Sequence, residues 1–280
     1  MHELLKIKEN IYIFTPGKND RPIFGLIKGE SNSIIIDAGN SPLHAELFLG
    51  SINSIKTNNT SVVLTHWHWD HIFGSSKLAF PIISSTATAS QIRLIKDMKW
   101  DEKSINSRVE KNLEFSFCST NMLQEIKNPN PDNVRIPDIT FDKSLTINLD
   151  KTRKAIMIYV GGDHSSDSTI VHLPSEKIVF LGDCISPIID MKNIVYTKSR
   201  FLPLLTKLIS LNADYYYESH SVEPIFVEEL ILLKNYFLKI IDDQKILYDN
   251  LNREFFPEKH ENEFINSILD CWDMFIEHTS

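Results

Sequence analysis

Apolar residues alternate with polar ones, or gather in short runs, through most of the first 85 positions. Asn10–Thr15 (NIYIFT) and Phe24–Lys28 (FGLIK) are rich in β-branched and aromatic side chains, and each predicts a strand. Gly29–Ser33 is dense in turn formers, after which Ile34–Ile36 opens a buried strand ended by Asp37, Ala38 and Gly39. Pro42 stands where a first helical turn would begin, and the amphipathic stretch to about Ile55 predicts a helix. Ser61–Thr65 is another buried strand and runs straight into His66, while Pro81–Ser85 reads as a short strand after a brief helix. This alternation predicts a sheet layered with helices.

The period changes between about 86 and 128. Ile92, Ile95 and Met98 recur at helical spacing, as do Ile105, Val109 and Leu113, before Asn128–Asp132 (NPNPD) breaks the chain. Residues 86–136 therefore read as a helical insertion, too short for a strong core of its own. Strands return at Ile139–Leu149, Ala155–Val160, Thr169–Leu173 and Lys177–Leu181. Residues 200–211 read as helix and Tyr215–Tyr217 as a last strand. Pro224 reads as the start of a long helix to about Leu251, with Leu230, Leu233, Phe237, Ile240, Leu247 and Leu251 on its apolar face. Pro257 breaks it, and a terminal helix is expected around Phe264–Ile276, so 223–280 forms a C-terminal helical extension. No solenoid-period repeat or low-complexity tract interrupts a single domain spanning 1–280.

Composition narrows the classes. With 42% apolar residues the chain can bury a sizeable core. The formal charge of −8, with no basic patch, argues against an obligatory nucleic-acid partner. Cys118, Cys184 and Cys271 are odd in number, widely spaced and lack a CxxC pair, which argues against a disulfide framework and a thiolate zinc site. Met1 to Asn10 alternates charge with aliphatics and has no signal-peptide run, and no apolar run reaches membrane-span length. A cytoplasmic location is the expectation.

The chemistry is concentrated in Thr65–His71, T-H-W-H-W-D-H, directly after a buried strand. Neutral imidazole and carboxylate are the ligands of open, catalytic zinc sites. Side chains two apart in extended backbone point the same way, so His66 and His68 can grip one cation; the chain then turns, and Asp70 and His71 can serve a second. Three histidines and an aspartate at this spacing arise by chance in roughly one such chain in a thousand. The plainer alternative is an exposed His-rich loop.

T-H-x-H-x-D-H after an apolar strand resembles the signature of the metallo-β-lactamase superfamily. The remaining elements follow in that family's order. Ile34–Gly39 (IIIDAG) precedes the motif; Gly161–Ser168 (GGDHSSDS) places His164; Val179–Asp183 (VFLGD) places Asp183; Tyr217–His220 (YESH) closes the series. The resemblance covers about residues 10 to 222. It implies an α/β fold, a four-layer αββα sandwich of two mixed β-sheets flanked by helices. It also implies His66, His68 and His164 on a first metal, Asp70, His71 and His220 on a second, Asp183 bridging both, and Asp37 orienting the ligand loop. Two zinc ions are the expected cofactors, with iron or manganese as alternative occupants. Many relatives carry Pro-Gly before the third histidine and glycine at the position of Asp167; here stand Gly162-Asp163 and Asp167, whose carboxylates would either support His164 or face solvent.

The implied activity is hydrolysis of a small-molecule ester, thioester, lactone, amide or phosphodiester by a water or hydroxide shared between the metals, with Asp70 orienting it or carrying its proton. An iron-dependent oxidoreductase resembling the sulfur dioxygenases, and a non-catalytic metal-binding module, are the rival readings. His68 stands where diiron relatives usually carry Glu, and the missing signal sequence fits a β-lactamase poorly. Trp67 and Trp69 either wall the pocket or brace the loop, and Trp100, Phe115 and Phe117 either line a pocket or pack the insertion. The insertion and the C-terminal helices would select the substrate; the apolar face of the long helix suits a homodimer or packing on its own domain. His2, His44, His260 and His278 read as solvated, His172 as packing or edge surface, and Cys184 as a small buried residue.

Overall fold

The computed structural model describes residues 2–190, 193–239 and 246–247. The first half of the chain builds one sheet. Its strands are β1 (Leu4–Lys8), β2 (Ile11–Phe14), β3 (Phe24–Ile27), β4 (Ser33–Ile36), β5 (Thr60–Val63), β6 (Ile82–Ser85) and β7 (Ile139–Phe141), hydrogen-bonded in that order. β1 to β4 pair antiparallel and β4 to β7 parallel, so the sheet is mixed. Helix α1 (Pro42–Ile52) crosses from β4 to β5; α2 (Trp69–Ile72) is a single turn after β5; α3 (Thr86–Lys96), α4 (Glu102–Glu110) and α5 (Ser116–Glu125) lie between β6 and β7. Pro42 opens α1 as expected, with the Ser41 hydroxyl accepting the His44 amide.

The second half builds the other sheet from β8 (Ser144–Asn148), β9 (Lys154–Tyr159), β10 (Thr169–Leu173) and β11 (Ile178–Gly182). After a hairpin, β12 (Ile188–Asp190) and β13 (Asn193–Tyr196), come α6 (Lys198–Ser210), β14 (Tyr215–Glu218), β15 (Ile225–Phe226) and α7 (Val227–Lys239). The sheet order is β15-β14-β11-β10-β9-β8, with β11 and β14 parallel and the other pairs antiparallel. β16 (Ile246–Leu247) adds to the β12–β13 hairpin.

Strand periodicity sorts the side chains into four layers. Successive residues of a strand point to opposite faces. Ile34 and Ile36 of β4, and Ile178 and Phe180 of β11, meet in the core between the two sheets. Ile35 faces the other way, into a core shared with Ala45, Phe48 and Ile52 of α1, Ile92 and Ile95 of α3, Ile105 of α4 and Met122 of α5. Val179 and Leu181 face outward onto Phe201, Leu204 and Leu208 of α6 and Leu230 and Phe237 of α7. The result is helix, sheet, sheet, helix. Coverage on both faces explains why the central strands read as unbroken apolar runs.

Three sequence expectations change. Ile139–Leu149 reads as one strand, yet the chain bends at Asp142-Lys143 and leaves one sheet for the other, giving β7 and β8. Alternation continues through both pieces, so the pattern cannot mark the crossing. Pro224 does not begin a helix: Ile225 and Phe226 first pair with Tyr216 and Tyr215 at the sheet edge, and α7 starts at Val227. Proline at the start of an edge strand loses no ladder bond. The β12–β13 hairpin is new. The expected continuation of the long helix to Leu251 and the terminal helix at Phe264–Ile276 lie outside the described residues, as do His260, His278 and Cys271. The 86–136 segment shares the core of the first sheet through Ile92, Ile95, Trp100, Ile105 and Met122. Among the described residues no helix is long and apolar enough to cross a membrane.

Phe180, 1% exposed, sits between the sheets and stacks on Tyr217 at 5.6 Å. Phe180→Ala should lower unfolding free energy by about 3–5 kcal/mol in urea titration, since the site cannot collapse onto a missing ring. A loss below about 1 kcal/mol would mean that the two sheets close around the gap.

Candidate metal centre

Every candidate side chain stands just past a strand, in a connecting loop or, for Asp70 and His71, in the single helical turn α2. Asp37 follows β4, His66 to His71 follow β5, Asp183 follows β11 and His220 follows β14, while His164 lies between β9 and β10. The carboxyl ends of strands are where ligands gather in sheets of this kind. Two groups form. The ligand atoms of His66, His68 and His164 all lie within 4.8 Å of one another, and so do those of Asp70, His71, Asp183 and His220. Thus the structure brings together all seven residues singled out in the sequence.

The Asp183 Oδ2 atom touches both groups. It lies 3.9 Å from His66 Nε2 and 3.5 Å from His164 Nε2 on one side, and 3.3 Å from His71 Nε2 and 3.4 Å from His220 Nε2 on the other. It reaches this place because Gly182 takes a left-handed φ of +58° between β11 and Asp183, with its backbone pressed against Thr65. A Cβ there would lie 2.7 Å from Thr65 Cβ, so glycine is required twice over. His68 Nδ1 and His164 Nε2 face each other at 2.9 Å, and the rings of His66 and His68 lie 4.5 Å apart, as two same-facing residues of extended backbone should.

Asp37 anchors the loop from behind. Its Oδ1 accepts the Thr65 amide at 2.8 Å, and its Oδ2 accepts the Thr65 hydroxyl at 3.0 Å and contacts His71 Nδ1 at 2.8 Å. Thr65 Oγ1 in turn lies 3.0 Å from His66 Nδ1. Both rings are thereby turned with Nε2 toward Asp183.

The two groups differ in charge. Burial and the neighbouring His71 and His68 rings hold His66 well below the usual imidazole range; burial and His164 push His68 down to about 3; burial also lowers His164. In the second group burial opposes charge, but the carboxylates win. Asp70, Asp183 and Asp37 raise His71 well above the ordinary range, and Asp183, Asp70 and Asp20 do the same for His220. Asp70 and Asp183 are correspondingly held low by His71 and His220 despite their burial. The first group is therefore a set of neutral lone pairs, the second a set of ion pairs.

A profile of the Metallo-beta-lactamase superfamily matches residues 24–220. The chain belongs to the metallo-beta-lactamase superfamily. No curated protein matches its sequence. Among solved structures, this superfamily member is similar to a metallo-beta-lactamase from Pontibacter korlensis, at 19% identity and TM-score 0.59 over 86% of this chain and 100% of that one. A metallo-beta-lactamase family protein from Thermus thermophilus aligns at 15% identity and TM-score 0.57, over 84% and 81%. The sec-alkylsulfatase Pisa1 from Pseudomonas sp. aligns at 12% identity and TM-score 0.62, over 85% of this chain but 42% of its own length. At these identities the likeness is one of fold.

Other superfamily expectations resolve residue by residue. Asp163 and Asp167 do not face solvent, and their carboxylates hydrogen-bond groups other than His164. Asp163 is buried and accepts the Thr197 amide at 2.6 Å, pinning the start of α6. Asp167 is buried and accepts the Ser165 hydroxyl, while its backbone carbonyl faces the Ser85 and Thr88 hydroxyls. Trp69 packs into the helix-facing core and Trp67 lies half-buried against it, with its ring 4.8 Å from His68. Trp100 packs as well, donating to the Ile95 carbonyl beneath the Arg108 guanidinium; Phe115 and Phe117 are half-buried. His44 is not solvated: it is fully buried among His2, Phe14 and Phe24, because its place on α1 faces the core. His2 is half-buried and its Nδ1 meets the Thr15 carbonyl. His172 is buried within β10, and Cys184, in the turn after β11, is buried in the core under α6 and α7.

One acidic residue near the centre escapes the sequence reading. Asp20, between β2 and β3, has its carboxylate 3.8 Å from His220 Nδ1, and burial with Asp70 nearby pushes its pKa up to about 7. The signal available is the Asn19-Asp20 pair in a turn-rich loop, since Asn and Asp tolerate left-handed backbone.

The charge difference has a consequence for loading. Filling the first group near pH 7 should release few protons, because its imidazoles are already neutral. Filling the second should release protons from His71 and His220. Their raised values stabilise the metal-free fold at low pH and that contribution disappears as pH rises through them. Affinity for the second equivalent should therefore climb with pH. Calorimetry in buffers of different ionisation enthalpy checks this, and equal proton release for the two equivalents would contradict it.

Proposed function

We propose that the protein is a hydrolase working through two divalent cations, zinc foremost, on a small-molecule ester, thioester, lactone, amide or phosphodiester. The supporting observation is the convergence of seven imidazole and carboxylate side chains into two groups joined at Asp183, with His66 Nε2 buried and left without a hydrogen-bond partner. A buried polar atom left unpaired costs stability, and a cation held among the imidazoles of its group would satisfy it. The donor set, imidazole and carboxylate without thiolate, suits zinc at an open site. His66, His68 and His164 would hold one cation, Asp70, His71 and His220 the other, and Asp183 both.

When bound, such a pair supplies Lewis acidity: a shared water's pKa falls toward about 7, and negative charge growing on the electrophile's oxygen is neutralised. The chain's own groups orient and move protons. Asp70, whose Oδ2 lies 2.8 Å from His71 Nε2 and 3.4 Å from His220 Nε2, would orient the water and carry its proton to the leaving group. Asp37 keeps Thr65, His66 and His71 from rearranging as charge builds. The bond type stays open, because a β-lactamase and an alkylsulfatase share this fold.

The test is metal analysis of protein purified without added metal, with a panel of chromogenic esters, thioesters, lactones, amides and phosphodiesters. About two zinc equivalents are expected, with turnover of one class that chelation or His68→Ala abolishes. Iron as the native metal with no hydrolysis would replace this reading with an iron-dependent oxidoreductase. A fully loaded protein silent on every leaving group would replace it with a non-catalytic metal-binding module.

A further inference from the structure

The loop between β2 and β3 is held in an unfavourable shape. Asn19 and Asp20 are consecutive non-glycine residues in left-handed backbone, with φ of 58° and 59°. Such conformations persist only where the surroundings impose them. Here Asn40 Nδ2 donates to the Asn19 carbonyl at 2.7 Å, Asn19 Nδ2 donates to Glu125 Oε2 at 3.1 Å, and Arg21 Nη2 donates to Glu125 Oε1 at 2.7 Å. The Glu125 side chain, 1% exposed at the end of α5, also accepts the Ser41 hydroxyl at 2.6 Å. Contacts from two separate parts of the chain, Asn40-Ser41 and Glu125, thus converge to fix a short loop.

What the loop presents is the Asp20 carboxylate. Its Oδ1 lies 3.8 Å from His220 Nδ1, while the opposite ring nitrogen, Nε2, lies 3.4 Å from Asp70 Oδ2 and from Asp183 Oδ2. His71 repeats this arrangement. Its Nδ1 is 2.8 Å from Asp37 Oδ2, and its Nε2 is 2.8 Å and 3.3 Å from the same two carboxylates. Each imidazole of the second group therefore has one nitrogen toward the donor cluster and the other toward a carboxylate brought from elsewhere in the chain. At 3.8 Å the Asp20 contact is electrostatic rather than a hydrogen bond. When ionised, Asp20 on that side favours the tautomer with the proton on Nδ1.

We propose that Asp20 is a positioning residue for His220, keeping the ring proton on Nδ1 so that the Nε2 lone pair faces the second cation. The inference rests on the two-cation reading above. It assigns a purpose to the strained loop: the Glu125 network sets the loop, the loop sets Asp20, and Asp20 sets the ring.

The full chain, stripped with chelator and titrated with Zn2+ against a chromophoric competitor, tests it. Asp20→Ala should weaken the second equivalent by about 10–100-fold, the usual effect of removing a ligand's outer partner, and leave the first unchanged. Asp20→Asn, which keeps the side chain's shape and an acceptor oxygen, should weaken it less but measurably, and carries the test alone if the alanine variant folds poorly. Spectra of zinc-loaded protein with 15N-labelled histidine should show His220 protonated at Nδ1 in the wild type, and that proton should shift and exchange faster with water in Asp20→Ala. A second equivalent held equally tightly by wild type and both variants overturns the proposal, as does equal weakening of both equivalents, which marks a merely structural role. A wild-type chain that takes up a single equivalent refutes the two-cation reading itself, and this inference with it.

Discussion

The carboxylate of Asp37 is the constraint on which the centre depends. One buried side chain accepts the amide and hydroxyl of Thr65 and contacts the imidazole of His71. It thereby fixes the first and last residues of the T-H-W-H-W-D-H segment relative to the end of β4. Asp37 itself takes a left-handed φ of 62° and its amide donates to the Val63 carbonyl. Neighbouring parallel strands β4 and β5 are in this way coupled at their tips. Without it, three histidines on one loop would be free to turn outward and hydrate, because buried unpaired imidazole nitrogens are costly.

Two unlike electrostatic environments grow from that anchor within a few ångströms. The first is built from rings that shield one another from charge, and the second from rings saturated with carboxylates. Asp183 belongs to both, which makes it the residue through which a change in one group would be felt in the other. The arrangement follows from backbone placement: Gly182 permits a turn that no side chain could make against Thr65.

Much of this is legible in the sequence, for identifiable reasons. The seven donors can be read because their residue types, order and position after apolar runs are local features. The layers can be read because strands covered on both faces leave unbroken apolar runs such as Ile34–Ile36. What stays hidden depends on contacts distant in sequence. Asp20 meets His220 from 200 residues away along the chain, and its aim comes from Asn40 and Glu125. The break between β7 and β8 carries no change of pattern, and Ile225-Phe226 pairs at an edge that only the folded sheet supplies. His44 reads as polar by type, and its helix face alone decides that it is buried.

The crossing at Asp142-Lys143 also orders events in time. Strands between Leu4 and Phe141 make one sheet, and β8 to β11 with β14 and β15 make the other. Each donor group takes members from both: His66 and His68 with His164, Asp70 and His71 with Asp183 and His220. A nascent chain grows from its N-terminus, so neither group can be complete while the later sheet is still unmade. The donors of the earlier half wait on His164 for the first group and on Asp183 and His220 for the second, so two successively made halves must meet at their rims before either group is whole.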